Sequence, residues 1–190
     1  MSVREHHISW HCTALASSEH CVLIEHDDGF TFRGVVAAPL ALAPCHIEYS
    51  VVVDRQWRPL YVAASIETPS LRREIELRTP RTGGWELDGA GASHLDACDD
   101  VDLGWSPATN TIPIRRLDLE VSESAAITAA WIRFPELDVV ANEQRYTRLA
   151  IDRWRYQAGE YEFELVTDPG TGFVLAYGDD LWRASATSFT

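Results

Sequence analysis

The chain predicts an all-β fold, an antiparallel β-roll or barrel-like meander with little helix, and three observations carry that prediction. Apolar residues recur at every second position along short stretches. Turn-forming residues punctuate those stretches at close intervals. No segment shows a sustained apolar stripe at the helical period.

Taken in order, the first strand signal is Phe30-Thr-Phe-Arg33, entered through the turn residues Asp27-Asp-Gly29, with residues 37–44 read as an extra loop. Ile47-Glu-Tyr-Ser-Val-Val-Val-Asp54 alternates most cleanly. Ile47, Tyr49, Val51 and Val53 form its apolar face, while Glu48, Ser50 and Asp54 point the other way. Residues 54–59 turn, residues 71–78 alternate again, and Thr82-Gly-Gly84 and Asp88-Gly89 are further turns. Residues 106–117 offer the best place for a short helix, because Pro107 and Pro113 would interrupt a strand ladder. Strands are then expected over 116–121, 153–156 and 160–166, with Asp168-Pro-Gly170 as a turn. The small, polar tail 184–190 is expected to fray.

Tyr161-Glu-Phe-Glu-Leu-Val-Thr-Asp168 repeats the pattern of residues 47–54, and each copy follows a strand of aromatic residues and arginine. A single domain over 1–190 with two pseudo-repeated lobes, about 19–95 and 126–184, joined by residues 98–117, would produce this. So would unrelated strands that each carry glutamate on a wet face.

A chain of 190 residues, 46% hydrophobic, can bury a sufficient core without disulfides or a metal. Its net charge of -13 disfavours nucleic acid and anionic membrane surfaces as partners. All 16 basic residues are arginine, which excludes a Schiff-base lysine and a phosphate-loop lysine. The opening residues lack signal-peptide features and no apolar run matches a membrane span, so the expected location is cytoplasmic. Cys12, Cys21, Cys45 and Cys98 are scattered and expected to be buried thiols. A metal held by His7, His11 and Cys12 would need a geometry that an isolated N-terminal segment rarely supplies; neither metal nor cofactor is expected.

The segment 98–117 concentrates a cysteine, acids, hydroxyls, an amide and paired arginines. By strand parity Arg73 and Arg115 fall on apolar faces. Either they meet an anion or carboxylate in a cavity, with Asp99, Asp100, Asp102 and Glu19 as nearby acids, or they snorkel at strand ends and close internal salt bridges. Trp57 and Trp105 sit at turns, where each is either a pocket wall or a plug. No nucleophile–base pattern accompanies the seven histidines. Asp99 and Asp102 with Glu19 leave a carboxylate-pair hydrolase or isomerase as a rival, and a purely structural segment is a third reading.

Cys98-Asp-Asp-Val-Asp102 followed by Ser106-Pro-Ala-Thr-Asn-Thr-Ile-Pro-Ile-Arg-Arg-Leu117 resembles the central motif of a bacterial glycolipid-binding family, Cys-x-Asp-Val-Asp and then Thr-Pro-Phe-Thr-Asn-Thr-Leu-Pro-Ile-Arg-Arg-Leu. Glu19-His20, Asp54, Trp57, Gly84-Trp85, Gln144, Tyr146 and Tyr156 extend the resemblance over nearly the whole chain. Ser106 replaces the family's threonine and Ala108 its phenylalanine, which would reshape a pocket that the phenylalanine lines, with Trp105 filling in. The resemblance implies a β-roll able to hold a lipid chain, comparable with bacterial lipoprotein carriers. The combined expectation is a soluble binding protein, rather than an enzyme, for a lipid or glycolipid-like amphiphile held in an apolar β interior with a polar rim. In that reading Arg73 and Arg115 meet an anionic or hydroxyl-rich head group, Asp102, Thr109 and Asn110 hydrogen-bond it, Trp57, Trp105 and Tyr146 supply apolar walls, and Glu19 is counted among the ligand-binding residues.

Overall fold

The computed structural model describes residues 4–14, 16–40, 43–79, 83–179 and 181–189. The first meander comprises β1 (Arg4–Cys12), β2 (Ser17–Glu25), β3 (Gly29–Leu40), β4 (Ala43–Asp54), β5 (Pro59–Thr68) and β6 (Leu71–Arg78), ending in the short β7 (Glu86–Leu87) and β8 (Ala90–Gly91). A crossover then carries β9 (Asp100–Leu103), a 3-10 turn (Pro107–Asn110) and helix α1 (Thr111–Leu117). The second meander comprises β10 (Ser124–Ile132), β11 (Val139–Ala150), β12 (Arg153–Ala158), β13 (Tyr161–Thr167), β14 (Val174–Tyr177) and β15 (Trp182–Phe189). Antiparallel β1–β15 pairing fuses the two meanders into one 15-stranded sheet, with β8 at one edge and β9, parallel to β10, at the other.

Laid flat, such a sheet would be about 65 Å wide. Residues 92–99, which join its two edge strands, span at most about 30 Å. The sheet therefore curls back on itself, and because β8 and β9 are not paired it is an open roll rather than a closed barrel.

Alternation builds the first lobe as expected. Ile47, Val51 and Val53 of β4 face inward with Val62 and Ile66 of β5 and Leu77 of β6, all buried, alongside Trp10 and Phe32. At roughly 25 cal/mol per Å² of apolar surface, this face is the main source of stability in the lobe. The second lobe has a smaller cluster around Tyr146, Trp154, Tyr156, Leu165 and Val174. Helix α1 joins the two, placing Ile112 in the first cluster and Ile114 in the second. Asp118, in the left-handed region at φ 44°, ends it.

Four expectations are corrected. Of the expected loop 37–44, residues 37–40 and 43–44 are strand, since β3 and β4 continue their ladder through Ala37–His46 to Leu40–Ala43, while residues 41 and 42 lie outside the described residues. Residues 116–121 are not a strand, because α1 occupies them as far as Leu117 and a turn follows. The tail does not fray, since β1 offers β15 backbone partners from Cys12 to His6, which small polar residues accept as readily as apolar ones. Arg73 and Arg115 do not point into the core. The first half of β6, residues 71–74, runs past the edge of the core, so Arg73 is exposed and donates to the Glu136 carbonyl at 2.8 Å. Arg115 lies on a helix, where period-two parity does not apply, and is exposed. Of the expected turns, Thr82 and, of the tail, Thr190 lie outside the described residues.

Candidate functional site

Two carboxylates organise the polar interior, the buried Glu19 in the first lobe and the partly buried Asp102 in the second. Glu19, on the inner face of β2, is 2% exposed. Its Oε1 accepts hydrogen bonds from the Tyr49 hydroxyl and, at 2.6 Å, from Ser106 Oγ, while Oε2 has no partner among the described residues. Tyr49 stands on β4, two strands away, and crosses β3 over Gly34. A Cβ on Gly34 would lie 2.1 Å from Tyr49 Cζ, so only glycine lets the ring lie there. Burial pushes the Glu19 carboxyl up to about 7, against those two hydrogen bonds. Ser106 also accepts from Ala108 N at 3.1 Å, which starts the 3-10 turn. Glu19 thus fixes the crossover to the first lobe.

The second carboxylate, Asp102 on β9, faces a cavity of about 410 Å³ in the second lobe. Gln144 Nε2 donates to Asp102 Oδ2 at 2.6 Å, and the Tyr156 hydroxyl lies beside the same group. Burial raises Asp102 to about 6 and holds the Tyr156 and Tyr177 hydroxyls well above their ordinary value. Asn110, which ends the 3-10 turn, also lines the cavity and donates from Nδ2 to Tyr146 Oη at 2.8 Å. Trp131 and Leu103 form one wall, and the close approach of Trp131 requires Gly104, whose Cβ would meet the indole Nε1 at 2.9 Å.

The opposite wall is an aromatic ladder. Tyr161 and Phe163 alternate on β13 with rings 7° from parallel; Phe163 meets Tyr177 at 5.1 Å, Tyr177 meets Tyr156 at 6.0 Å, and Tyr156 meets Tyr146 at 5.2 Å. It runs from solvent, where Tyr161 is 70% exposed, to the interior, where Tyr146 is 1% exposed.

Of the residues expected at a site, Asp102 and Asn110 line this cavity, and Tyr146 lies behind them, hydrogen-bonded to Asn110 and packed on Tyr156. The others lie elsewhere. Thr109 Oγ1 accepts from Leu103 N at 3.1 Å and ties the 3-10 turn to β9. Trp105 is buried in the first-lobe core with its indole N–H unpartnered. Trp57 sits in the β4–β5 turn at φ 62°, a strained conformation for a bulky residue, held by its stack on Phe30 at 4.2 Å. Arg115 lies over Trp57 at 5.5 Å and donates to the Gly170 carbonyl at 3.1 Å, so it pins α1 to two turns. The arginine that pairs with the crossover acids is Arg116, whose Nε donates to the fully buried Asp100 at 3.1 Å. Ala108 is fully buried in the core cluster and is not a cavity-lining residue.

Sequence reasoning missed Trp131, Asn142, Tyr161, Phe163 and Tyr177 at the cavity. The available signal was Tyr161 and Phe163, two aromatic residues at i and i+2 in a strand with glutamates on its other face. Glu19 and Asp102 have separate partners, Asp99 is exposed, and His20 stacks on His7 at 5.5 Å on the outer face, opposite to Glu19. The four thiols are buried, and burial raises Cys98 to about 11, far from a reactive thiolate. No described helix is long and apolar enough to cross a membrane.

No curated protein matches the chain. The crystal structure of a DUF1089 family protein from Pseudomonas aeruginosa is similar, with 30% identity and a TM-score of 0.77 over 86% of this chain and 89% of that one. A family model described as "Putative glycolipid-binding" matches residues 7–183, and the motif-bearing crossover and both lobes lie inside that span: the chain belongs to this glycolipid-binding family.

Proposed function

We propose that the protein binds an amphiphile in the second-lobe cavity, polar head first. The observation that carries this reading is the cavity's gradient. Its inner end gathers Asp102, Asn110 and the Tyr156 hydroxyl, while its mouth is aromatic, with Phe163 and the exposed Tyr161. A volume of about 410 Å³ with mostly apolar walls and a few convergent polar groups is typical of small-molecule sites. Family membership supports the class of ligand. The first lobe is the poorer candidate: its interior is occupied by Trp10, Phe32 and the aliphatic residues of β4 and β5, and its hollow of about 720 Å³ is lined by the exposed Arg33, Val35, Glu48 and Glu74.

Native mass spectrometry of protein isolated from its own cells, followed by organic extraction, tests the reading. The expected result is an extractable adduct that the cavity-filling substitution Ala158→Trp reduces by about tenfold or more. A folded protein without an adduct, or an adduct indifferent to Ala158→Trp, would overturn it.

A second reading covers part of the crossover. Thr109, Asp100, Arg116, Arg115 and Ser106 all spend their polar groups on internal partners, which favours a structural role for these motif residues beside a ligand role for Asp102 and Asn110.

A further inference from the structure

We infer that the second-lobe cavity also moves protons at carbon: Asp102 is a general base for a hydrogen next to a carbonyl group, and Tyr177 donates the hydrogen bond that holds the enolate oxygen. This rests on the cavity being the ligand site. Among the described residues Asp102 forms no ion pair, since Arg116 is committed to Asp100. The groups that face it from β11, β12 and β14 are Gln144, Tyr156 and Tyr177, all neutral at pH 7. The other charged lining residue, Glu160, is exposed in the β12–β13 turn. Burial raises Asp102 to about 6, so at pH 7 it is ionised and yet a stronger base than an exposed aspartate. The Tyr177 hydroxyl has no hydrogen-bond partner among the described residues and burial keeps it protonated, which leaves it an unspent donor; the Asn142 amide is a second.

Other reactions at a carboxylate would need more. Hydrolysis by a carboxylate pair requires a second acid withdrawn from water, and Glu160 is exposed; acyl transfer requires a free nucleophile, and the Ser106 hydroxyl is committed to Glu19. One base and one donor suffice for proton transfer at carbon. In a β,γ-unsaturated ketone, Asp102 takes the proton from the carbon between the carbonyl and the double bond. That C–H electron pair becomes a new carbon–carbon double bond, and the carbonyl π pair moves onto oxygen, where Tyr177 donates to it. Asp102 then returns the proton to the γ-carbon, the carbonyl re-forms, and the product is the conjugated isomer, with no oxidant, reductant or cofactor consumed. Leu103, Trp131 and Phe163 supply apolar walls for the hydrocarbon part.

Isomesityl oxide, a β,γ-unsaturated ketone, tests this. Its conversion to mesityl oxide is followed by ultraviolet absorbance, and its binding by the fluorescence of Trp131 and Trp182, which line the cavity. Conversion is expected to exceed the buffer rate by about a hundredfold or more and to fall by about a hundredfold in Asp102→Asn. In Tyr177→Phe kcat is expected to fall by about tenfold with KM little changed, each variant being checked by circular dichroism. The wild-type rate is expected to rise through about pH 6 to a plateau, which a purely structural Asp102 would not produce. Binding without conversion above the buffer rate, or a folded Asp102→Asn as fast as wild type, overturns the proton-transfer inference and leaves the ligand site standing. No binding of the ketone also overturns it and, where the isolated protein carries no adduct, takes the site with it.

Discussion

Each lobe withdraws a carboxylate from solvent, Glu19 wholly and Asp102 in part, and the two are put to opposite uses. In the first lobe Glu19 is enclosed by side chains, and its oxygen collects hydroxyl donors from β4 and from the crossover, so the acid acts as an internal tie. In the second, Asp102 is held by Gln144 and a tyrosine on the wall of an open cavity, so the acid is presented to whatever enters. The difference lies in the neighbours. Aliphatic residues at alternate positions of β4 and β5 interdigitate and fill their lobe. The rings of β12, β13 and β14 line up in tilted contacts along one wall of the other. Burial of a polar group thus locates a structural tie or a site only when the packing around it is read as well.

The largest effects are expected where the first lobe is tied. Gly34→Ala places a Cβ inside the Tyr49 ring, so the ring must leave and Glu19 loses a donor; a destabilisation of about 3 kcal/mol is expected by denaturant titration. Arg116→Ala, which strands the fully buried Asp100, is expected to cost about 3 kcal/mol. Asp100→Ala costs less, because the partly exposed Arg116 can turn to water. A smaller loss for Arg116→Ala than for Asp100→Ala would contradict this account of the pair.

The pH dependence of stability separates the two acids. Both have pKa values raised on folding, so each favours the folded state most while protonated: the contribution is complete below the ordinary value and lost as pH rises through the folded one. For Glu19 the window runs from 4.5 to about 7, and for Asp102 from 3.8 to about 6, each worth about 3 kcal/mol at most. Stability is expected to fall between about pH 4 and pH 7. Glu19→Gln removes the upper part of that fall and Asp102→Asn the lower part. An unchanged profile in Glu19→Gln would show that Glu19 is already ionised when the lobe is folded.

The smallest stability effect is expected at the cavity mouth. Tyr161→Ala removes an exposed ring and is expected to change stability by no more than about 0.5 kcal/mol. If the mouth contacts ligand, the same substitution weakens octyl glucoside binding by about fivefold or more in fluorescence titration. A stability loss with unaltered binding would assign Tyr161 to the fold.

The all-β roll was legible because alternation such as Ile47, Tyr49, Val51 and Val53 reports a buried face whatever the tertiary arrangement. The crossover was legible as a short helix through Pro107 and Pro113. Arg115 was misplaced because a two-residue period was carried across a helix start. Arg73 was misplaced because alternation does not say where a strand outruns the core it packs on. Of the site, Asp102 and Asn110 were reachable through the motif and Tyr146 through the wider resemblance, but the ladder from Tyr161 to Tyr146 was not. Its five rings come from β11, β12, β13 and β14, and only strand order brings them together. Trp105 shows the converse: a tryptophan in a polar loop looked like a wall and is core.

The most direct test of the account is an amide chemical-shift map during titration with octyl glucoside. The account predicts perturbations at Asp102, Asn110, Trp131, Tyr156 and Phe163, with the amides of β4 and β5 unmoved. Perturbations centred on β4 and β5, or none at saturating probe, would contradict the claim that the second lobe holds the ligand.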